Sequence, residues 1–146
     1  DGQDKEARWN MMMASTEGAM AFSKGLGAVH SMSHAAGANQ ELRLHHGTLN
    51  AVILPSVLRF NQNYVGDKYS RILRAMGKNQ SSDLANEIEK LNEKIGMPGS
   101  LAEMGVTEDM IPELIAHAMT DPSNITTPRV PDLDEWEKLF LEAIKK

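Results

Sequence analysis

Five histidines are present, and four of them, His30, His34, His45 and His46, fall within seventeen positions. His30 and His34 stand four residues apart in Ala28-Val29-His30-Ser31-Met32-Ser33-His34. On a helix that spacing puts both imidazoles on one face, one turn apart. Small neighbours (Ser31, Ser33, Ala35, Ala36) leave room around them. A neutral imidazole accepts zinc, iron, copper or nickel, so the spacing by itself does not choose a metal. Two ordinary helix histidines would give the same pattern. Adjacent helical residues diverge by about 100°, so at most one of His45 and His46 faces any given site, and the other reads as a surface histidine. His117, alone in Ile115-Ala116-His117-Ala118, reads as structural. No suitably spaced carboxylate accompanies the cluster: Glu41 falls in a loop and Glu17 a full helix away. Two histidines make an incomplete metal site.

The elements that must position these residues are helices. Period-2 alternation is scarce, aromatics make up 5%, and the good helix formers Ala, Met, Leu, Glu and Lys dominate. The pattern predicts a first helix over 5–23, with Trp9, Met12, Met13, Thr16, Ala19 and Met20 at helical spacing. Gly25-Leu26-Gly27 interrupts it, and a second helix follows over 28–36, then a loop over 39–44. The apolar segment 48–61 reads as a helix kinked at Pro55, followed by helices over 68–76, from Ser81 or Ser82 to Ile95, a short turn over 100–104, and 108–120. A Pro/Thr/Asn loop covers 121–131, and Asp132 with Glu135 resembles a capping box that opens the last helix. The fold class is all-α, a multi-helix bundle of seven or eight helices. Core packing is the expected role of most of the ten methionines.

Composition narrows the function. The formal charge is −5 and no basic stripe forms, which argues against nucleic acid. No apolar run approaches the roughly 20 residues of a membrane span. Cysteine is absent, so any metal must be held by nitrogen and oxygen. Length fits one domain over 1–146. The start at Asp1-Gly2-Gln3, with neither Met nor signal-peptide features, leads us to expect that something upstream has been removed, and the cytoplasm is the default location.

A longer, ordered pattern surrounds the histidines. Gly25-Leu26-Gly27-Ala28-Val29-His30 to His34 leads to Gly37-Ala38, then His46-Gly47, then Asn50-Ala51-Val52-Ile53-Leu54-Pro55 and Val57-Leu58-Arg59-Phe60-Asn61. It resembles the signature of the iron-dependent (group III) alcohol dehydrogenases: GLGxxHxxxH, G(A/G), HG, NAxxLPxVxxFN. Ile95-Gly96-Met97-Pro98, Leu101 to Val106, and Thr127-Pro128-Arg129 resemble later segments of that family, so the likeness runs along nearly the whole chain. The chain departs from the pattern at Ala35, where Pro is frequent, in a loop about two residues longer before His46, and in His45, where Pro often precedes the HG histidine.

The resemblance implies the helical C-terminal domain of the dehydroquinate synthase-like fold, with the nucleotide-binding N-terminal domain lying outside this chain. It implies His30 and His46 as two of four metal ligands, the remaining Asp and His lying upstream of Asp1. His46 is preferred to His45 because Gly47 follows it. His34 matches a histidine near the nicotinamide that relays a proton, and Phe22 an aromatic lining the nicotinamide pocket. The implied cofactors are a divalent ion (iron first, zinc or manganese as alternatives) and NAD or NADP, held mainly by the N-terminal domain. The implied activity is metal-assisted hydride transfer between a small alcohol and nicotinamide, giving an aldehyde or ketone, in a homodimer. With only part of the ligand set, this chain is expected to bind metal weakly and turn nothing over by itself. A stand-alone helical module for metal binding, dimerisation or regulation is the alternative. Gly25-Leu26-Gly27 has no strand before it and therefore fails as a dinucleotide fingerprint; it reads as a close-packed helix junction.

Overall fold

The computed structural model describes residues 2–145, and among these there are seven α-helices, five short 3-10 turns and no strand. Helix α1 (Lys5–Ala21) is capped by the Asp4 carboxylate, which accepts from the backbone of Glu6 and Ala7 at 3.0 Å each. It ends in a 3-10 turn, Phe22–Lys24, and at Gly25, whose φ of 101° only glycine adopts without strain. A Cβ on Gly25 would also collide with the side chain of Thr126. Thr126 Oγ donates to the Leu26 carbonyl at 2.6 Å, and the Ala28 amide donates to Thr127 Oγ at 2.7 Å. The glycines thus form a tight junction against the loop that carries the Thr127-Pro128-Arg129 motif.

Helix α2 (Ala28–Gly37) lies at the centre, packed on α3 (His46–Asn61) and α6 (Ile111–Thr120). Its small residues Ala28, Ser31, Ser33, Ala35 and Ala36 are buried, which lets its neighbours approach closely. Helix α3 begins two residues earlier than its apolar run because His45 acts as N-cap, accepting from the Thr48 amide through Nδ1. Pro55 sits inside α3 and cannot donate to the Ala51 carbonyl. Asn92 of α5 (Leu84–Lys94) supplies that missing bond, Nδ2 to Ala51 O at 2.7 Å. Helix α4 (Lys68–Ala75) joins α3 to α5, and α7 (Leu133–Lys145) closes the bundle behind a reciprocal Asp132–Glu135 capping box with bonds of 2.9 and 3.0 Å. Leu49, Ile53, Met32, Trp136 and Phe140 make the centre of the core.

The core expectation for the methionines holds for Met32 and, at the core's edge, for Met104 and Met110. It fails on α1, where Met11, Met12, Met13 and Met20 are exposed along with Trp9, and no side chain of the helix is buried. The reason is topological: the chain turns at Gly25, and among the described residues no side chain of this helix joins the buried core. Among the described residues no helix is long and apolar enough to cross a membrane.

Candidate metal centre

The histidines of two helices meet at one edge of the bundle. Helix α2 presents His30 and His34 one turn apart, and the first residue of α3 presents His46. The three ring centroids lie 5.7 Å (His30–His34), 5.3 Å (His30–His46) and 5.3 Å (His34–His46) apart. His45 is occupied as the cap of α3, with its Nδ1 also 3.1 Å from Thr48 Oγ, and stays outside the cluster. His117 is exposed on α6, also outside it. Phe22 lies in the turn after α1, 59% exposed, and makes no ring contact with the histidines.

The opposite face of α2 explains how the imidazoles are held outward. Ser31 donates to Asn124 Oδ1 at 2.7 Å, and Asn124 donates to the Ala118 carbonyl at 2.6 Å, anchoring the helix to α6 and the loop after it. Ser33, fully buried, donates to the His30 carbonyl at 3.2 Å and lies 3.4 Å from His46 Nδ1. Asn50, one turn beyond His46 on α3, places its Nδ2 3.1 Å from His46 Nε2 and 3.4 Å from His30 Nε2. Both Nε2 atoms therefore aim at one common region.

A carboxylate does join the cluster, contrary to the reading of the sequence. Asp121 Oδ2 lies 2.8 Å from His34 Nδ1, although 87 residues separate the two. Its other oxygen caps the turn Pro122–Thr126 by accepting from the Ser123 amide at 2.8 Å. Burial pushes the Asp121 carboxyl up, but the hydrogen bonds from Ser123 and from His34 outweigh it and hold it below its ordinary value. His30 is pushed down, first by burial and then by the neighbouring charges of His46 and His34. A neutral imidazole keeps a lone pair, which is the form a metal requires.

The donor set is partial. Among the described residues no group of three or more His, Asp or Glu side chains is arranged to hold a metal ion. His34 turns its Nδ1 to Asp121, leaving His30 and His46 as the two nitrogen donors with a shared direction. Two imidazoles fit half of a four-coordinate N/O site. Asn50 was within reach of sequence reasoning, since i and i+4 share a helix face. Asp121 was not, because its place depends on how the loop after α6 returns to α2. A groove lined by Leu58, Asn63, Tyr69 and Ser82 opens near the other end of α3 and contains none of these residues.

A family model described as "Fe-containing alcohol dehydrogenase family, C-terminal" matches residues 1–144. The chain is 43% identical over 151 residues to a 4-hydroxybutyrate dehydrogenase from Cupriavidus necator, covering 99% of this chain and 40% of that protein. It is 33% identical over 149 residues to a lactaldehyde reductase from Escherichia coli (strain K12), covering 96% of this chain and 38% of that protein. A solved alcohol dehydrogenase from Oenococcus oeni superposes with a TM-score of 0.90 at 26% identity, over 98% of this chain and 39% of that one. The chain thus spans about 40% of the length of the relatives it matches.

Proposed function

This chain belongs to the Fe-containing alcohol dehydrogenase family, whose C-terminal part it matches, and we propose that it carries part of the metal and proton-handling site of a nicotinamide-dependent dehydrogenase of small alcohols. In this reading residues 1–146 are one helical domain, and a nucleotide-binding domain that precedes it in the full-length protein holds NAD or NADP. His30 and His46 hold a divalent ion, iron first and zinc or manganese as alternatives, together with donors from outside this chain. Bound there, the ion supplies Lewis acidity toward the substrate oxygen, and the nicotinamide accepts or returns the hydride. The substrate class is a small alcohol or the matching carbonyl compound, in keeping with the hydroxybutyrate and lactaldehyde named for its relatives. In the same reading Phe22, exposed after α1, lines the nicotinamide pocket, and the protein works as a homodimer.

The observation that carries this reading is the meeting of His30, His34 and His46, with one carboxylate behind His34. An ionised Asp121 can only accept, so His34 carries a proton on Nδ1 and, in its neutral form, presents a bare Nε2. That nitrogen is free to take the alcohol's proton. The His34 side chain is 42% exposed, so the proton can pass on to solvent. Burial pushes His30 down, toward the neutral form that a ligand needs, and Ser33 and Asn50 lie beside the two ring nitrogens of His46.

The test separates the roles. In the full-length protein, the double variant H30A/H46A should lose bound metal, measured by elemental analysis, and all turnover. H34A should keep its metal and lose about 10²-fold or more in kcat, the scale of a general-base contribution. Full metal content in folded H30A/H46A would overturn the ligand assignment. Metal retained by the wild type without turnover on any small alcohol would favour the non-catalytic module instead.

A further inference from the structure

Helix α2 carries His30 in its first turn, where amides lack partners within the helix and the backbone is held least. The N-cap position is occupied by Gly27, which has no side chain to cap with. The His30 and Ser31 amides reach back to the Gly27 carbonyl at 2.9 and 3.1 Å. The Ala28 amide, adjacent to that carbonyl in the chain, has no such path. Ala28 is buried, and its amide donates instead to Thr127 Oγ1 at 2.7 Å, across 99 residues of sequence. The hydroxyl has room because position 27 is glycine: a Cβ there would stand 3.1 Å from the same oxygen. We propose that Thr127 is a positioning residue, the N-cap that α2 lacks in its own sequence, and that it fixes the first turn and with it His30 as a metal ligand; this rests on the ligand reading above.

The second assigned ligand has the same arrangement with a local cap. His46 is the first residue of α3, and the residue before it, His45, accepts from the Thr48 amide. Both ligand histidines therefore stand in the first turn of a capped helix, one cap adjacent in sequence and the other delivered by a distant loop. That loop holds α2 at more than its start. Asn124 Oδ1 accepts from the Ser31 hydroxyl at 2.7 Å, and Asp121 Oδ2 lies 2.8 Å from His34 Nδ1. Thr127, Asn124 and Asp121 thus meet Ala28, Ser31 and His34 in turn, so the loop runs antiparallel to α2 with a contact at every third residue. Asn124 is itself tied to α6 through the Ala118 carbonyl at 2.6 Å. At Ser31 and His34 the loop holds side chains, but at Ala28 it holds the backbone. Thr127 is therefore the contact that decides where the helix begins. A metal ligand must keep its donor atom within about 0.2 Å of the ideal distance, a tolerance that a frayed first turn does not meet.

The experiment uses the full-length protein, stripped of metal by chelation and titrated with Co(II) under visible absorption. T127V removes the acceptor and keeps the side chain's shape. It should bind Co(II) about 10-fold or more weaker than wild type, the scale on which groups that orient ligand histidines act, with a shifted absorption band. T127S keeps the hydroxyl and should restore both. Amide exchange in T127V should quicken at Ala28, His30 and Ser31 and stay as it was in α3. G27A, whose added Cβ presses on the same oxygen, should weaken Co(II) binding in the same direction and serves if T127V does not fold. D83A is the control for stability in general: it removes the side-chain cap of α5, so it should lower the urea midpoint and leave Co(II) binding unchanged. Unchanged Co(II) affinity and band in T127V, even with faster exchange in α2, would reduce Thr127 to a cap without a positioning role. T127S as weak as T127V, or D83A weakened as much, would overturn the proposal equally. If H30A/H46A binds Co(II) as wild type does, the ligand reading itself fails and the positioning role with it. If that variant loses Co(II) while T127V does not, only the role of Thr127 falls.

Discussion

His34 and Asp121 form the contact that sequence spacing could not announce, and it carries the sharpest residue-scale prediction. In D121N the amide oxygen can still accept from the Ser123 backbone, so the cap on the turn Pro122–Thr126 survives. The amide nitrogen then faces His34 Nδ1 in place of a carboxylate oxygen now 2.8 Å away. A donor there forces Nδ1 to accept and moves the proton to Nε2, removing the free base. D121N should therefore keep its metal and its fold while kcat falls about 10²-fold; unchanged kcat would remove His34 from the proton path. A second consequence concerns acid. The folded carboxyl sits below its ordinary value of 3.8, so Asp121 stabilises the fold fully above that pH and loses its contribution as pH falls through the folded value. D121N should show a correspondingly shallower loss of denaturant midpoint on acidification. His30, His34 and His46 were legible because their helices fix their spacing; Asp121 became visible only once the loop after α6 had closed on α2.

Among the elements, α3 places His46 and Asn50, and its integrity depends on a repair supplied by a neighbour. Pro55 leaves the Ala51 carbonyl without its helical donor, and Asn92 of α5 takes its place at 2.7 Å. N92A should cost about 1 kcal/mol, the net worth of a part-buried hydrogen bond. In a P55A background, where position 55 regains an N–H, the same change should cost clearly less, and equal costs in both backgrounds would sink the argument. Urea midpoints of the four proteins in the cycle measure it. The α4–α5 corner rests instead on charge: Glu87 takes ion pairs of 2.7 Å from Lys78 and from Lys90. The hydrogen bonds from Lys78 and Lys90 lower its carboxyl from 4.5 to about 2. Its stabilisation is thus complete above about pH 4.5 and fades toward pH 2, so E87Q should flatten the stability profile across that window and nowhere above it. The capping box at Asp132, the break at Gly25-Leu26-Gly27 and the helix content were readable in the sequence because local backbone chemistry decides them. The donor that replaces the missing Pro55 N–H was not, since Asn92 reaches the Ala51 carbonyl from 41 residues away.

The whole molecule has an open side, and helix α1 lies on it. Apolar residues at helical spacing normally signal a face against a core, and the core expectation went wrong for Met12, Met13 and Met20 because periodicity says that a face is apolar and nothing about what covers it. In this chain Trp9 is 63% exposed and Trp136 is 1% exposed, and these are the two tryptophans present. The 146-residue chain should therefore show two separable emission components. Iodide should quench one of them readily and the other hardly at all, and W9F should abolish the quenchable one. A helix of 17 residues with no buried side chain has little besides its own hydrogen bonds and the Asp4 cap to hold it. Its amides should accordingly exchange much faster than those of α2 and α3, which share the core around Met32 and Leu49. The proposed metal centre carries the same mark of incompleteness, since among the described residues His30 and His46 are the two donors assigned to it while a tetrahedral site needs four. We therefore expect this chain alone to bind Co(II) far more weakly than the full-length protein and to oxidise no alcohol with NAD. Turnover by the 146-residue chain would mean that two imidazoles suffice, and slow exchange in α1 would mean that its apolar face is covered within this chain after all.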